Sequence, residues 1–265
     1  MFDHSKKLYA ACVEGDLKPA NVLLAGYANA NFQKENGWTP LLAACGRGFV
    51  NIVKVLFARE LIQINQATNN GATPLFMACQ NNHVKVVNAL LARKEIQINQ
   101  AKNSGATPLF VACQLDRVKV VNALLTRKEI QINQANNNGA TPLFIACQED
   151  RLKVVNALLA RKEIQINQAN NNGATPLFMA CQQDCLKVVN ALLARKEIQI
   201  NQAKNDGCSP LYMACQQDHV KVVKALLTNK EIDINKQSGD TTPLACAIEL
   251  GRTEIAALLR QHGAK

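Results

Sequence analysis

The 265-residue chain is predicted to be an all-α solenoid of eight stacked copies of one helix-pair unit. Three observations carry this. A Thr-Pro dipeptide recurs at Thr39-Pro40, Thr73-Pro74, Thr107-Pro108, Thr141-Pro142 and Thr175-Pro176, continues as Ser209-Pro210 and ends as Thr242-Pro243. The interval is 34 residues at every step but the last, where it is 33. Within each interval the apolar residues follow a helical period and lie on both flanks of the unit, so a lone unit has nothing to bury itself against. A degenerate copy precedes the series, with Leu8-Tyr9-Ala10-Ala11-Cys12 aligning to Leu41-Leu42-Ala43-Ala44-Cys45. Residues 1–35 and 240–265 are assigned as the end caps of a single repeat domain, and 36–239 as six internal repeats.

The unit from Gly71 to Ser104 shows the parts in order. Asn70-Gly71 is a turn signal, because glycine takes positive φ without steric cost. Thr73 is placed to cap a helix by accepting from a free N–H of its first turn. Pro74 follows at the first helical position, where its missing donor is no loss. A first helix is predicted to run to about Gln80, with Leu75, Ala78 and Cys79 inward, and Asn81-Asn82 ends it. A second is predicted from about Val84 to Arg93, with Val84, Val87, Leu90 and Leu91 inward. Ile96-Gln97-Ile98 reads as a short extended segment. Helices this short are not stable alone in water, so the units must stack. At the chain ends, Lys6, Lys7, Glu14, Lys18, Arg252, Glu254, Arg260 and Gln261 are assigned to polar outer faces.

Composition narrows the class. Hydrophobic residues are 48% of the chain and aromatics only 5%, so small aliphatic side chains and cysteine fill the interior. No apolar run is long enough to cross a bilayer, and Met1 to Glu14 lacks the apolar core of a secretory signal. Of ten cysteines, Cys12, Cys45, Cys79, Cys113, Cys147, Cys181 and Cys215 recur at one place in the repeat. Stacked helices lie about 8–10 Å apart, beyond the roughly 7 Å that a disulfide spans between Cα atoms. The column therefore reads as reduced core thiols, which suits a cytoplasmic setting.

The pattern Gly-x-Thr-Pro-Leu-x-x-Ala, a Val-Val-x-x-Leu-Leu helix and Ile-x-Ile-Asn resembles the ankyrin repeat over nearly the whole chain. Three departures stand out. Arg93-Lys94-Glu95 and its equivalents make the link after the second helix one residue longer, which accounts for the 34-residue period and predicts a wider turn. The family's histidine after Thr-Pro-Leu is Phe76, Phe110, Phe144, Phe178 or Tyr212. Its hairpin aspartate is Thr68, Lys102, Asn136, Asn170 or Lys204, so the standard hairpin hydrogen bonds are not expected, although the fold is.

The resemblance implies a non-enzymatic protein-binding module (adaptor, scaffold or inhibitor), with first helices and hairpin tips forming a concave partner surface. Near-identical copies also occur in ankyrin-type proteins of intracellular bacteria and protists, which implies a host-directed effector in the host cytosol. Comparison of the copies points the same way. They differ after the first helix, at Asn81-Asn82-His83, Leu115-Asp116-Arg117, Glu149-Asp150-Arg151, Gln183-Asp184-Cys185 and Gln217-Asp218-His219, and in the hairpin at Lys102, Ser104, Asp206 and Cys208. Drift of exposed positions after duplication gives the same pattern, and both readings stand here.

The partner-binding candidates are Trp38, Asn70, Asn81, Gln114, Leu115, Gln148, Glu149, Gln182, Gln183, Gln216 and Gln217. Their amides both donate and accept. Trp38 either packs on the neighbouring hairpin or anchors a partner.

A net charge of +10 favours acidic partners. Lys85, Lys119, Lys153, Lys187 and Lys221 form one row; Arg93-Lys94, Arg127-Lys128, Arg161-Lys162 and Arg195-Lys196 form another at helix ends, where cations complement the helix dipole. Electrostatic binding of an acidic partner or nucleic acid through this face is the alternative function. Nucleic acid is disfavoured because no aromatic platforms stand among the charges. Cys181, Cys185, Cys215 and His219 mimic a zinc spacing, but two of them belong to the core column. No phosphate loop, nucleophile elbow or carboxylate pair appears. The expectation is a monomer without cofactor, metal or catalytic residues.

Overall fold

A computed structural model describes residues 2–265. Its contacts divide the chain into two compact units, one ending at Asn137 and one running from Asn138 to Lys265. The first contains α1 (Phe2–Glu14), α2 (Leu17–Ala25), α3 (Pro40–Arg47), α4 (Val50–Phe57), α5 (Pro74–Gln80), α6 (Val84–Leu91), α7 (Pro108–Gln114) and α8 (Val118–Leu125). The second contains α9 (Pro142–Gln148), α10 (Leu152–Leu159), α11 (Pro176–Gln182), α12 (Leu186–Leu193), α13 (Pro210–Gln216), α14 (Val220–Leu227), α15 (Pro243–Glu249) and α16 (Thr253–Gln261). In each unit the odd-numbered helices pack in one row and the even-numbered helices in another. No strand occurs among the described residues. Ser238 and Thr241 form an isolated bridge, and the predicted extended Ile96-Gln97-Ile98 is loop.

The start signals act as read. Thr73 Oγ1 accepts from Phe76 N at 3.1 Å, with Pro74 at the first position of α5. The same cap recurs through Thr242. Leu75, Ala78 and Cys79 are fully buried. After each first helix the backbone turns left-handed, at Asn82 (φ 62°), Asp116, Asp150, Asp184 and Asp218. Asn and Asp tolerate that conformation best among residues bearing a side chain.

Two expectations about the second helix need correction. It ends at Leu91 rather than near Arg93. Val84 is only half-buried, while Val86 is fully buried beside Val87, Leu90 and Leu91. Because α6 packs against α4, α5 and α8, it buries a wide arc, and residues adjacent in sequence go inward together.

The residue added after the second helix is accommodated in a hydrogen-bonded turn. Ile96 N–H donates to the Arg93 carbonyl at 3.4 Å, and Arg93 pairs with Glu95 at 2.8 Å, so the insertion closes as a tight turn. That turn is then held by the repeat before it. Asn65 donates to the Glu95 carbonyl at 2.8 Å and accepts from Gln97 N at 2.9 Å. Asn99 bonds Glu129 and Gln131 in the same way, and Asn167 bonds Glu197 and Gln199.

The hairpins keep their bonds despite the missing aspartate. Thr68 Oγ1 accepts from Ala72 N at 3.1 Å, and Asn170 Oδ1 accepts from Ala174 N at 3.0 Å. In the hairpin that carries Lys204, Asp206 Oδ1 accepts from Cys208 N at 3.0 Å instead. Phe76, Phe110, Phe144 and Phe178 are buried, whereas Tyr212 is half-buried.

At the end of the chain, Arg252 and Glu254 are not outer capping residues. Arg252 donates to the Gln216 carbonyl and lies 3.6 Å from Asp218, and Glu254 pairs with Lys224, so both reach back onto the preceding repeat. Ile248 is left 51% exposed, where a further repeat would pack.

Replacing Asn99 with Ala deletes two inter-repeat hydrogen bonds. At about 0.5–1.5 kcal/mol each, the expected loss is about 1–3 kcal/mol in urea unfolding, and an unchanged midpoint would refute the clamp. All ten cysteines are free and buried. Burial pushes Cys12 and Cys185 up to about 12 and Cys208 to about 11. At pH 8 these thiols are therefore protonated as well as enclosed. Ellman's reagent should label the folded protein far more slowly than the urea-unfolded chain; prompt labelling of several thiols would contradict this.

Candidate functional site

The variable triplet after each first helix separates into three positions with different duties. The second must be left-handed, which confines it to Asn, Asp or Gly. The third serves the preceding repeat. His83 places a ring nitrogen 3.0 Å from the Gly46 carbonyl, and Arg117 Nε donates to the Gln80 carbonyl at 3.2 Å. His219 Nδ1 lies 2.9 Å from the Cys181 carbonyl. These carbonyls end first helices and have no partner inside them. Cys185 is the exception: it is buried and directs its thiol to the Gln183 carbonyl at 3.5 Å. Sequence comparison alone had merged these structural positions with the first.

The first position serves the preceding repeat in one copy, where Asn81 Nδ2 donates to the Gly46 carbonyl at 2.8 Å; among the described residues Leu115, Glu149, Gln183 and Gln217 make no such bond at that position. In the first unit it holds Asn81, exposed, and Leu115, half-buried beside Gln114. In the second unit it holds Glu149, half-buried, and Gln183 and Gln217, exposed; Gln148, Gln182 and Gln216 flank them, half-buried. Gln148 Nε2 donates to Glu149 Oε1 at 3.2 Å. Within each unit the constant glutamines and the varied residues therefore share one face.

Asn70 is exposed at a hairpin tip but largely committed. Its carbonyl accepts from Asn103 N, and its Oδ1 accepts from Thr68 Oγ1 at 2.6 Å. Trp38 is half-buried and borders a cavity of about 280 Å³, together with Tyr9, Val13, Arg47, Met77 and Asn81. The space exists because α3 carries Ala43 and Gly46 where α5 carries Met77 and Gln80. A Cβ on Gly46 would lie 3.5 Å from Met77 Cε and 3.8 Å from Trp38 Cζ3, in ordinary contact.

The two basic rows differ. Arg127 donates to the Leu91 carbonyl, and Arg195 Nη1 donates to the Leu159 carbonyl at 2.9 Å, capping a second helix of the repeat before. Both also pair with a glutamate two residues on. The arginines of that row are structural, while Lys94, Lys128, Lys162 and Lys196 are exposed. Lys85, Lys119, Lys153, Lys187 and Lys221 are exposed. Among the described residues no three His, Cys, Asp or Glu side chains are grouped to hold a metal ion, and no helix is long and apolar enough to cross a membrane.

The family model for ankyrin repeats (3 copies) matches residues 8–102, 57–136, 94–170, 131–204 and 197–265. The chain belongs to the ankyrin repeat family. Among curated proteins none matches it. Ankyrin repeats are protein–protein interaction modules.

Gly46 sits inside α3 with neither a left-handed φ nor a close neighbour to require it. Glycine costs a helix interior about 0.8–1 kcal/mol relative to alanine. Gly46→Ala should therefore raise stability by about that amount in urea unfolding. A loss of stability would show that the packing forbids a side chain there.

Proposed function

We propose that this ankyrin-repeat protein is a non-enzymatic binding module, docking a partner protein on the first-helix face and hairpin tips as an adaptor, scaffold or inhibitor. One observation carries the reading. The position occupied by Leu115, Glu149, Gln183 and Gln217 varies between copies and, among the described residues, makes no bond back to the preceding repeat, although its counterpart Asn81 does. Beside it the glutamines offer amide donors and acceptors suited to a peptide backbone. Ten buried free thiols accord with a reducing cytosol, and the near-identity of the copies accords with a host-directed effector acting there as a monomer.

A second reading rests on the exposed Lys85, Lys119, Lys153, Lys187 and Lys221, which face solvent on the second helices. It calls for an acidic partner and affinity that falls steeply with salt.

The test is capture of partners by the wild type and by the variant Gln114→Ala, Leu115→Arg, Gln148→Ala, Glu149→Arg. The captured protein should bind the variant at least tenfold more weakly, with little dependence on salt. Undiminished binding would falsify the assignment of this face, and a steep salt dependence abolished by lysine-to-glutamine changes would favour the second reading.

A further inference from the structure

The first-helix face of the first unit is interrupted by the cavity beside Trp38. Three features of it have no structural explanation. Ala43 and Gly46 replace the larger pair that α5 carries, although a Cβ at Gly46 would fit. Trp38 stands where Ala72 and Ala106 occupy the equivalent hairpins. Finally, Arg47, Tyr9 and Trp38 are among the residues that line the cavity, together with the amides of Asn36 and Asn81, and no carboxylate lines it. Among the described residues none of the Arg47, Tyr9 and Trp38 side chains makes a hydrogen bond or ion pair.

The charge around it is positive. Arg47 is exposed at the rim, and the Lys34 ammonium lies 5.1 Å from the centroid of the Tyr9 ring. Burial pushes the Tyr9 hydroxyl above its ordinary value, against the opposing effect of Arg47, so it is protonated and able to donate at neutral pH. Val13 and Met77 supply apolar walls. Donors and a guanidinium beside an apolar wall match a carboxylate carried next to an aliphatic or aromatic side chain.

We propose that this cavity seats an aspartate or glutamate side chain from an extended segment of the partner protein, with a neighbouring apolar residue of that segment against Val13 and Met77. The proposal rests on the reading that the first-helix face binds protein, and adds the chemistry of one anchor. Arg47, Tyr9 and Trp38 hold the carboxylate; the missing side chains of Ala43 and Gly46 give it room.

The probe is a displayed library of random twelve-residue segments, selected on the full-length protein. Enriched segments should carry Asp or Glu within two residues of Leu, Met or Phe. Synthetic copies should shift the emission of Trp38, the chain's single tryptophan. Binding should weaken at least tenfold with Arg47→Gln, with the Asp→Asn or Glu→Gln peptide, and with Ala43→Met/Gly46→Gln. That double change restores the residues α5 carries, and its urea midpoint, at or above wild type, serves as the folding control. Gln182→Ala/Gln216→Ala in the second unit should leave peptide binding unchanged, and N-acetylglutamate alone should shift nothing at the peptide's concentration. No enriched segment, enrichment without an acidic residue, or indifference to Ala43→Met/Gly46→Gln overturns the proposal. If a captured partner depends on Gln114 and Glu149 but not on the cavity, the binding face stands and this anchor fails; if it depends on neither, the face itself is wrong.

Discussion

Each repeat in this protein is too small to stand alone, and that constraint shapes everything else. Helices of seven or eight residues lie below the length at which a helix persists unaided in water. Burial of Leu75, Cys79, Val87 and Leu90 between neighbours supplies the drive to stack, but burial is tolerant of sliding and rotation. Direction comes from asparagine. Asn65 and Asn99 each donate to one backbone carbonyl and accept from one backbone N–H of the next repeat's turn. Aspartate could only accept and leucine could do neither. A short amide that must do both at once fixes where the following turn lies. Within that turn Arg93 and Glu95 pair at 2.8 Å beside the carbonyl that the asparagine bonds.

Much of this was legible in the sequence, because the signals were local. A Thr-Pro cap, an Asn-Gly turn and an Asp after a helix each have a backbone reason that needs no neighbour. Readings failed where the answer lay in the adjacent repeat. Val84 and Val87 obey the spacing of one apolar stripe, yet Val86 is the residue buried, because α6 is covered on several sides. The arginine rows could be read as helix-end charges, but not as donors to a carbonyl 36 residues earlier. Thr68 could not be seen to replace an aspartate until its hydroxyl was placed against Ala72.

The candidate site was legible as a region rather than as residues. Comparing copies marked three positions after the first helix as the place where they differ. Their backbone geometry and partners divide them: one is held to a left-handed conformation, one reaches back to the preceding helix through His or Arg, and one does so only where it is Asn81. Variation at the second is limited by conformation to Asn, Asp or Gly. Variation at the third is limited by reach, and His83 and Arg117 both satisfy it with a ring or guanidinium nitrogen. Residues as different as Leu115, Glu149 and Gln217 coexist at the first, where among the described residues none of these three reaches back to the preceding helix.

The same logic gives meaning to exceptions within the array. When neighbouring copies carry a workable solution, a repeat that departs from it at no structural gain is informative. Cys185 departs where His or Arg caps a helix, and burial of its thiol offers an internal account. Gly46 departs without one. It lowers the helical tendency of α3, its place would admit a Cβ, and its φ is not left-handed. A tryptophan beside it keeps the space half-covered instead of filling it. Fold stability favours filling that space, as α5 does with Met77 and Gln80. The persistence of an open cavity lined by Arg47, Tyr9 and Trp38 without a carboxylate is therefore hard to derive from stacking, and simple to derive from a ligand that completes it.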